Sequence, residues 1–195
     1  MAAEVAVKYP MTVAEYLEFE RTSEEKHEFY DGEVFSMTGA SLKHNALVAN
    51  VIRELGNAFR KRPCSAYASD LRVRTPSELL TYPDVSALCG EPELSDDGLD
   101  TLLNPQLLVE VLSPSTESYD RGKKFLHYRS IPTLKDYVLI SQSEVLVEHF
   151  SRQEDDSWVL RVFRAGDRLV LPGVACEIAV DEIYDKVFPE ETAEG

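Results

Sequence analysis

The sequence predicts an α/β or α+β fold, a central mixed sheet flanked by helices with an antiparallel-rich rim. Three observations carry this expectation. Two short, mostly apolar runs, residues 82–89 and 107–112, fit central strands covered on both faces. Between residues 41 and 61, Leu42, Ala46, Val48, Ala49, Ile52, Leu55, Ala58 and Phe59 recur every three to four positions, the spacing of an amphipathic helix. The last third of the chain reads as strands joined by short turns.

In chain order, Thr12 and Glu15 form a capping-box pattern before Val13, Tyr16 and Leu17, so a short helix is expected there. Residues 26–30 and 33–37 flank Asp31-Gly32, a hairpin turn that exploits glycine's tolerance of positive φ; this pairing puts Glu28, Tyr30, Glu33 and Phe35 on one face. The long helix follows with Ser41 as its cap, then strands at 65–74, 82–89 and 107–112. An acidic loop, 90–105, separates the last two and carries no recognisable motif. Ser113-Pro114-Ser115-Thr116 breaks the strand and supplies caps for a helix over 117–129, which Pro132 ends. Strands are expected at 137–140, 145–151, 158–163 and 169–178, then a helix at 180–187. Residues 1–188 read as one domain and 189–195 as a disordered acidic tail.

Composition narrows the function classes. No stretch approaches the roughly 18 consecutive apolar residues of a membrane span, and the first residues lack the basic start and apolar stretch of a signal peptide. The expectation is a cytoplasmic protein. Cys64, Cys89 and Cys176 are odd in number, far apart and without CxxC spacing, which predicts reduced core residues. The formal net charge of −15 argues against a general polyanion-binding surface, although Arg60 to Arg62, Arg72, Arg74, Arg121, Lys123, Lys124 and Arg129 form basic islands. No P-loop, dinucleotide fingerprint, nucleophile elbow or HExxH occurs.

Within the apolar runs stand two acids, Asp84 and Glu110. An isolated buried carboxylate is costly, so such groups are protonated, paired or bound to metal. Asp84 could cap a turn after Pro83 and Glu110 could pair with a buried arginine. If their strands are neighbours with faces aligned, the two acids can instead share one divalent cation. Mg²⁺, or Mn²⁺ in its place, needs only one or two carboxylates beside water and phosphate oxygens. Lys124, on the helix after the second strand, would supply an ammonium for phosphoryl chemistry; its simpler role is an i,i+4 pair with Asp120, and Lys123 is its rival. Tyr128, one turn beyond, reads as a core or orienting residue, and His44 as a helix N-terminal polar group.

A proline-aspartate followed by a strand bearing Glu-x-Lys is the signature of the PD-(D/E)XK nuclease superfamily, and Pro83-Asp84 with Glu110-Val111-Leu112 resembles it. Lys26 to Glu33, Lys43-His44, Tyr82 to Val85, Val109 to Thr116 and Asp120 to Tyr128 resemble, in order, the Uma-type putative restriction endonuclease family over roughly residues 10 to 185. The resemblance implies a restriction-endonuclease-like core and metal-dependent DNA endonuclease activity. It assigns Asp84 and Glu110 to the metal and Glu28 as an additional catalytic acid. Leu112 stands where the superfamily has lysine, and Lys124 matches a migrated lysine. His44, Arg121 and Lys123 are the candidate DNA contacts. By analogy with duplex cutting, a homodimer is expected. The alternative is a catalytically inactive nuclease-like module that binds nucleic acid or protein.

Overall fold

The computed structural model describes residues 5–7, 10–37, 39–95 and 100–188. The expected acidic tail, 189–195, lies outside them, as do the first four residues. The fold is mixed α+β with two six-stranded sheets and a small hairpin, in accord with the expectation.

The first sheet holds the amino-terminal elements. Helix α1 (Val13–Thr22) begins with the Thr12–Glu15 capping box. Strands β2 (His27–Tyr30) and β3 (Glu33–Ser36) form the hairpin, with Asp31 and Gly32 at φ of 49° and 81°. A Cβ at residue 32 would approach Pro10 Cα to 3.2 Å, so glycine serves both the turn and the packing. Glu28 pairs with Phe35 across the hairpin and Tyr30 with Glu33, which places the four on one face; Glu28 is buried and Glu33 exposed. The sheet is completed by β1 (Val5–Val7), β5 (Arg72–Arg74), β6 (Leu80–Thr81) and β8 (Thr101–Leu102), in the order β1-β3-β2-β6-β5-β8.

The second sheet is the central one. It contains β4 (Cys64–Ala68), β7 (Val85–Cys89), β9 (Leu107–Leu112), β10 (Asp136–Ser141), β11 (Val147–Arg152) and β12 (Trp158–Phe163), in the order β12-β11-β10-β9-β7-β4. The β9–β10 pair is parallel and every other pair antiparallel. Every residue of β9 and β10 is buried. Strand alternation sorts the side chains: Leu107, Val109 and Val111 pack with α2 (Leu42–Phe59), whereas Leu108 and Leu112 pack with Phe125, Tyr128 and Tyr137 on the other face. Glu110 therefore points into the second face. A third apolar cluster joins α1 to the hairpin through Tyr16, Leu17, Phe29 and Val34.

The structure corrects several expectations. Residues 65–74 are two strands in different sheets, because the chain turns at Ser69-Asp70. The acidic loop contributes β8, and its Asp100 and Thr101 hold Arg72, which is fully buried and takes no part in a basic surface. Cys64 and Cys89 are cross-strand partners joined by a disulfide, and only Cys176 is free. The pairing depends on sheet register, which sequence spacing does not disclose. Residues 169–178 form a hairpin, β13 (Arg168–Leu171) and β14 (Cys176–Ala179), around a 3₁₀ turn at Pro172–Val174; α5 (Val180–Ile183) is shorter than expected. The expected 117–129 helix is α3 (Glu117–Tyr119), a π-helical turn (Asp120–Lys124) and α4 (Phe125–Tyr128). No helix among the described residues is long and apolar enough to cross a membrane.

Candidate active site

The site forms on the α4 face of the central sheet, where β7 and β9 meet the π-helical turn, the hairpin strand β2 and the start of α2. Antiparallel β7 and β9 pair Val85 with Val109, so the next position outward sets Asp84 opposite Glu110. The Asp84 side chain extends the ladder beyond Val85: its Oδ2 accepts the Val111 N–H at 2.7 Å. The two acids are thus fixed by sheet register, although they stand 26 positions apart in the chain.

Lys124 reaches these acids from the π-helical turn. Its Nζ lies 3.0 Å from Glu110 Oε1, 3.0 Å from Glu28 Oε1 and 3.8 Å from Asp120 Oδ1, and the side chain is only 6% exposed. The structure shows the i,i+4 pair with Asp120 together with a reach to the sheet acid Glu110. Tyr128 donates its hydroxyl to Glu110 Oε1 at 2.7 Å, and Thr81 donates to Glu28 Oε1. His44 Nε2, at the start of α2, lies 3.1 Å from Asp84 Oδ1, while its Nδ1 is buried without a hydrogen-bond partner.

The charges are unbalanced. Glu28, Asp84, Glu110 and Asp120 face one ammonium and one imidazole. Burial pushes the Glu110 carboxyl up to about 8; Lys124 opposes the shift, and Asp84 and Asp120 add to it. Burial likewise raises Asp120. For Lys124 burial disfavours the charge, but the Glu110 and Glu28 carboxylates prevail and hold the ammonium well above its usual range. Lys124 is therefore protonated at neutral pH, while burial works against the charged form of Glu110 and a further cation would favour it.

The donor set fits a hydrated hard cation. Among the described residues, no three His, Cys, Asp or Glu gather closely enough to enclose a metal ion. Asp84 and Glu110 offer two facing carboxylates, as many as Mg²⁺ takes when it keeps several waters. Sequence reasoning did not find Thr81, which carries no motif. Asp120 and Tyr128 lie at i−4 and i+4 from Lys124, and that stripe is the signal for both. Of the candidate DNA contacts, Arg121 is paired with Glu117 and Glu148, and Lys123 is exposed. Leu112 is buried on the Glu110 face among Phe125, Tyr128 and Tyr137.

Fold and site together define a restriction-endonuclease-like protein. The sequence profile of Uma2, putative restriction endonuclease, matches residues 13–181, and the chain belongs to that family. Two uncharacterized proteins of Synechocystis sp. are similar: slr1290 is 37% identical over 171 residues, covering 87% of this chain and 89% of its own. The other, sll1609, is 40% identical over 157 residues, 80% of this chain and 89% of its own. The crystal structure of a putative nuclease belonging to DUF820 from Anabaena variabilis superimposes with a TM-score of 0.75 at 20% identity, covering 92% of this chain and all of that one. That likeness extends to the fold.

Proposed function

We propose that the chain is a metal-dependent endonuclease that hydrolyses DNA phosphodiester bonds. The observation that carries this reading is the convergence of Lys124 on Glu110 and Glu28, beside Asp84, in a buried and net acidic site. Asp84 and Glu110 would hold Mg²⁺ or Mn²⁺. When bound, the cation polarises the phosphoryl group and acidifies a coordinated water. Lys124 places a permanent positive charge where the pentacovalent phosphate gains negative charge. Glu28, held by Thr81 and Lys124, keeps that ammonium oriented toward the sheet acids. Tyr128 fixes Glu110 from the other side. His44 steadies Asp84, and its free Nδ1 can accept a hydrogen bond from a water or hydroxyl at the substrate.

One observation favours the inactive-module alternative: Glu110, Lys124 and Glu28 already neutralise one another in part. Divalent-ion titration followed by cleavage assays on duplex and single-stranded DNA separates the two. Cutting that depends on Mg²⁺ or Mn²⁺ and is lost in Lys124→Ala supports the nuclease; saturable metal binding with no cleavage of any substrate supports the module. Sedimentation of the active form tests the homodimer, which two-strand cutting favours.

A further inference from the structure

Lys124 and Tyr128 face the acid site, whereas Leu126 and Arg129 are exposed on the other side of the same segment. There they line a cavity of about 590 Å³ together with Ser130, Pro132, Arg152, Asp156 and Trp158. Two guanidiniums flank it. Arg129 stacks over Phe125 at 5.4 Å, and among the described residues it has no carboxylate partner. Arg152 stacks over Trp158 at 5.1 Å and donates to the carbonyls of Ile131 and Pro132 at 3.1 and 3.0 Å and to that of Arg129. Its Nε is buried without a hydrogen-bond partner, and the nearest acid, Asp156, is 3.7 Å away and 85% exposed. The side chain itself is 10% exposed, so Arg152 is a fixed cation in the cavity wall with one donor unused.

Arg129, stacked on Phe125 and without a carboxylate partner among the described residues, keeps its N–H edge free for phosphate oxygens, whereas Arg152, its terminal nitrogens taken by carbonyls, has only Nε left to give. Beside it, Trp158, Leu126 and Pro132 offer an apolar surface on which a flat ring can rest. We propose that this cavity binds a nucleotide unit, its phosphate between Arg129 and Arg152 and its base against Trp158. The unit belongs to a nucleic-acid strand or to a free nucleotide. Asp156 is the group the phosphate displaces. This binding does not depend on Asp84, Glu110 or on cleavage.

The test uses the full chain. Trp158 is its only tryptophan, so intrinsic fluorescence reports on this cavity directly. Inorganic phosphate, a mononucleotide and a short single-stranded oligonucleotide are titrated in turn, without divalent metal. A saturable change with the two nucleotide probes is expected, with inorganic phosphate weaker. Arg129→Ala should weaken nucleotide binding by about tenfold to hundredfold, the worth of a charge-assisted hydrogen bond. Asp156→Asn should strengthen it, since asparagine also adopts the positive φ of 64° found there. Glu110→Gln should bind as the parent does, which separates this site from the proposed nuclease centre. An oligonucleotide preferred over the mononucleotide assigns the site to a strand; equal affinities assign it to the free nucleotide. Loss of DNA cleavage in every assay leaves this expectation standing. No saturable change with either nucleotide probe, inorganic phosphate binding as tightly as the mononucleotide, or an unaltered Arg129→Ala variant overturns it.

Discussion

Glu110→Gln isolates the cost of charge in the acid site. The folded carboxyl is pushed up to about 8 from an ordinary 4.5. Between those two pH values the unfolded chain has released the proton and the folded chain retains it, so stability falls as pH rises. Each pH unit in the window costs about 1.4 kcal/mol, and the whole window costs at most about 5 kcal/mol. Below about pH 4.5 and above about pH 8 the two states bind equal numbers of protons at this group, and the slope vanishes. Glutamine keeps the shape and cannot titrate. Urea unfolding of parent and variant in EDTA, from pH 5 to pH 9, should show the variant gaining on the parent by several kcal/mol toward pH 8. Adding Mn²⁺ should reverse the order at pH 8, because the cation takes the place of the missing charge in the parent alone. Calorimetric Mn²⁺ affinity of the parent should rise with pH up to about 8 as the competing proton is lost. A stability difference that stays constant across the range would refute the reasoning, since it would mean that Glu110 is ionised throughout.

Asp84→Ala and Glu110→Ala should each abolish Mn²⁺ binding while the protein stays folded; unchanged calorimetric affinity in both would remove the metal assignment. Lys124→Ala should eliminate metal-dependent cleavage but not metal binding, and added Leu112→Lys should restore part of the activity from the same strand face, overpacking there costing roughly 1–3 kcal/mol. Parent-rate cutting by Lys124→Ala would end that idea. Lys123→Ala should lower DNA affinity and reduce the salt slope by about 1, with a smaller change for Arg121→Ala because Glu117 and Glu148 already hold that guanidinium; salt slopes equal to the parent's in both variants would place the DNA elsewhere. Tyr128→Phe should destabilise the fold at pH 9 by about 1–3 kcal/mol, by leaving Glu110 Oε1 short of a donor, and by less at pH 5, as chemical denaturation would record.

Local pattern and long-range register were not equally legible. Residues 107–112 and 158–163 match β9 and β12 end for end, because apolar continuity and flanking turn formers are local signals. The hairpin and the two capped helices were legible for the same reason. The break at Ser69-Asp70 was hidden inside a run that otherwise looks extended. The Cys64–Cys89 link depends on a partner 25 positions away and the burial of Arg72 on partners 10, 28 and 29 positions away, which no spacing rule anticipates. In the site, Glu110 is the buried charge in an apolar strand that demands company, and Asp84 stands opposite it just ahead of β7. Lys124 reaches both Glu110 and Glu28, and Glu28 was legible only through the family resemblance. Thr81 looks in the sequence like any strand threonine, and only the hairpin folding beside it gives it an acid to hold.

The π-helical turn Asp120–Lys124 has a bearing on how relatives should be compared. One residue inserted into an ordinary α-helix rotates everything after it by about 100° and would carry Lys124 off the sheet. A π turn takes up an extra residue within the turn itself, so Asp120, Lys124 and Tyr128 all remain buried toward the same acids. A family member one residue shorter here can therefore present the same lysine from a plain α-helix. Alignments that count positions from the strand acid would then set a different residue against Lys124, and superposition on the sheet is the sounder guide to which lysine is equivalent.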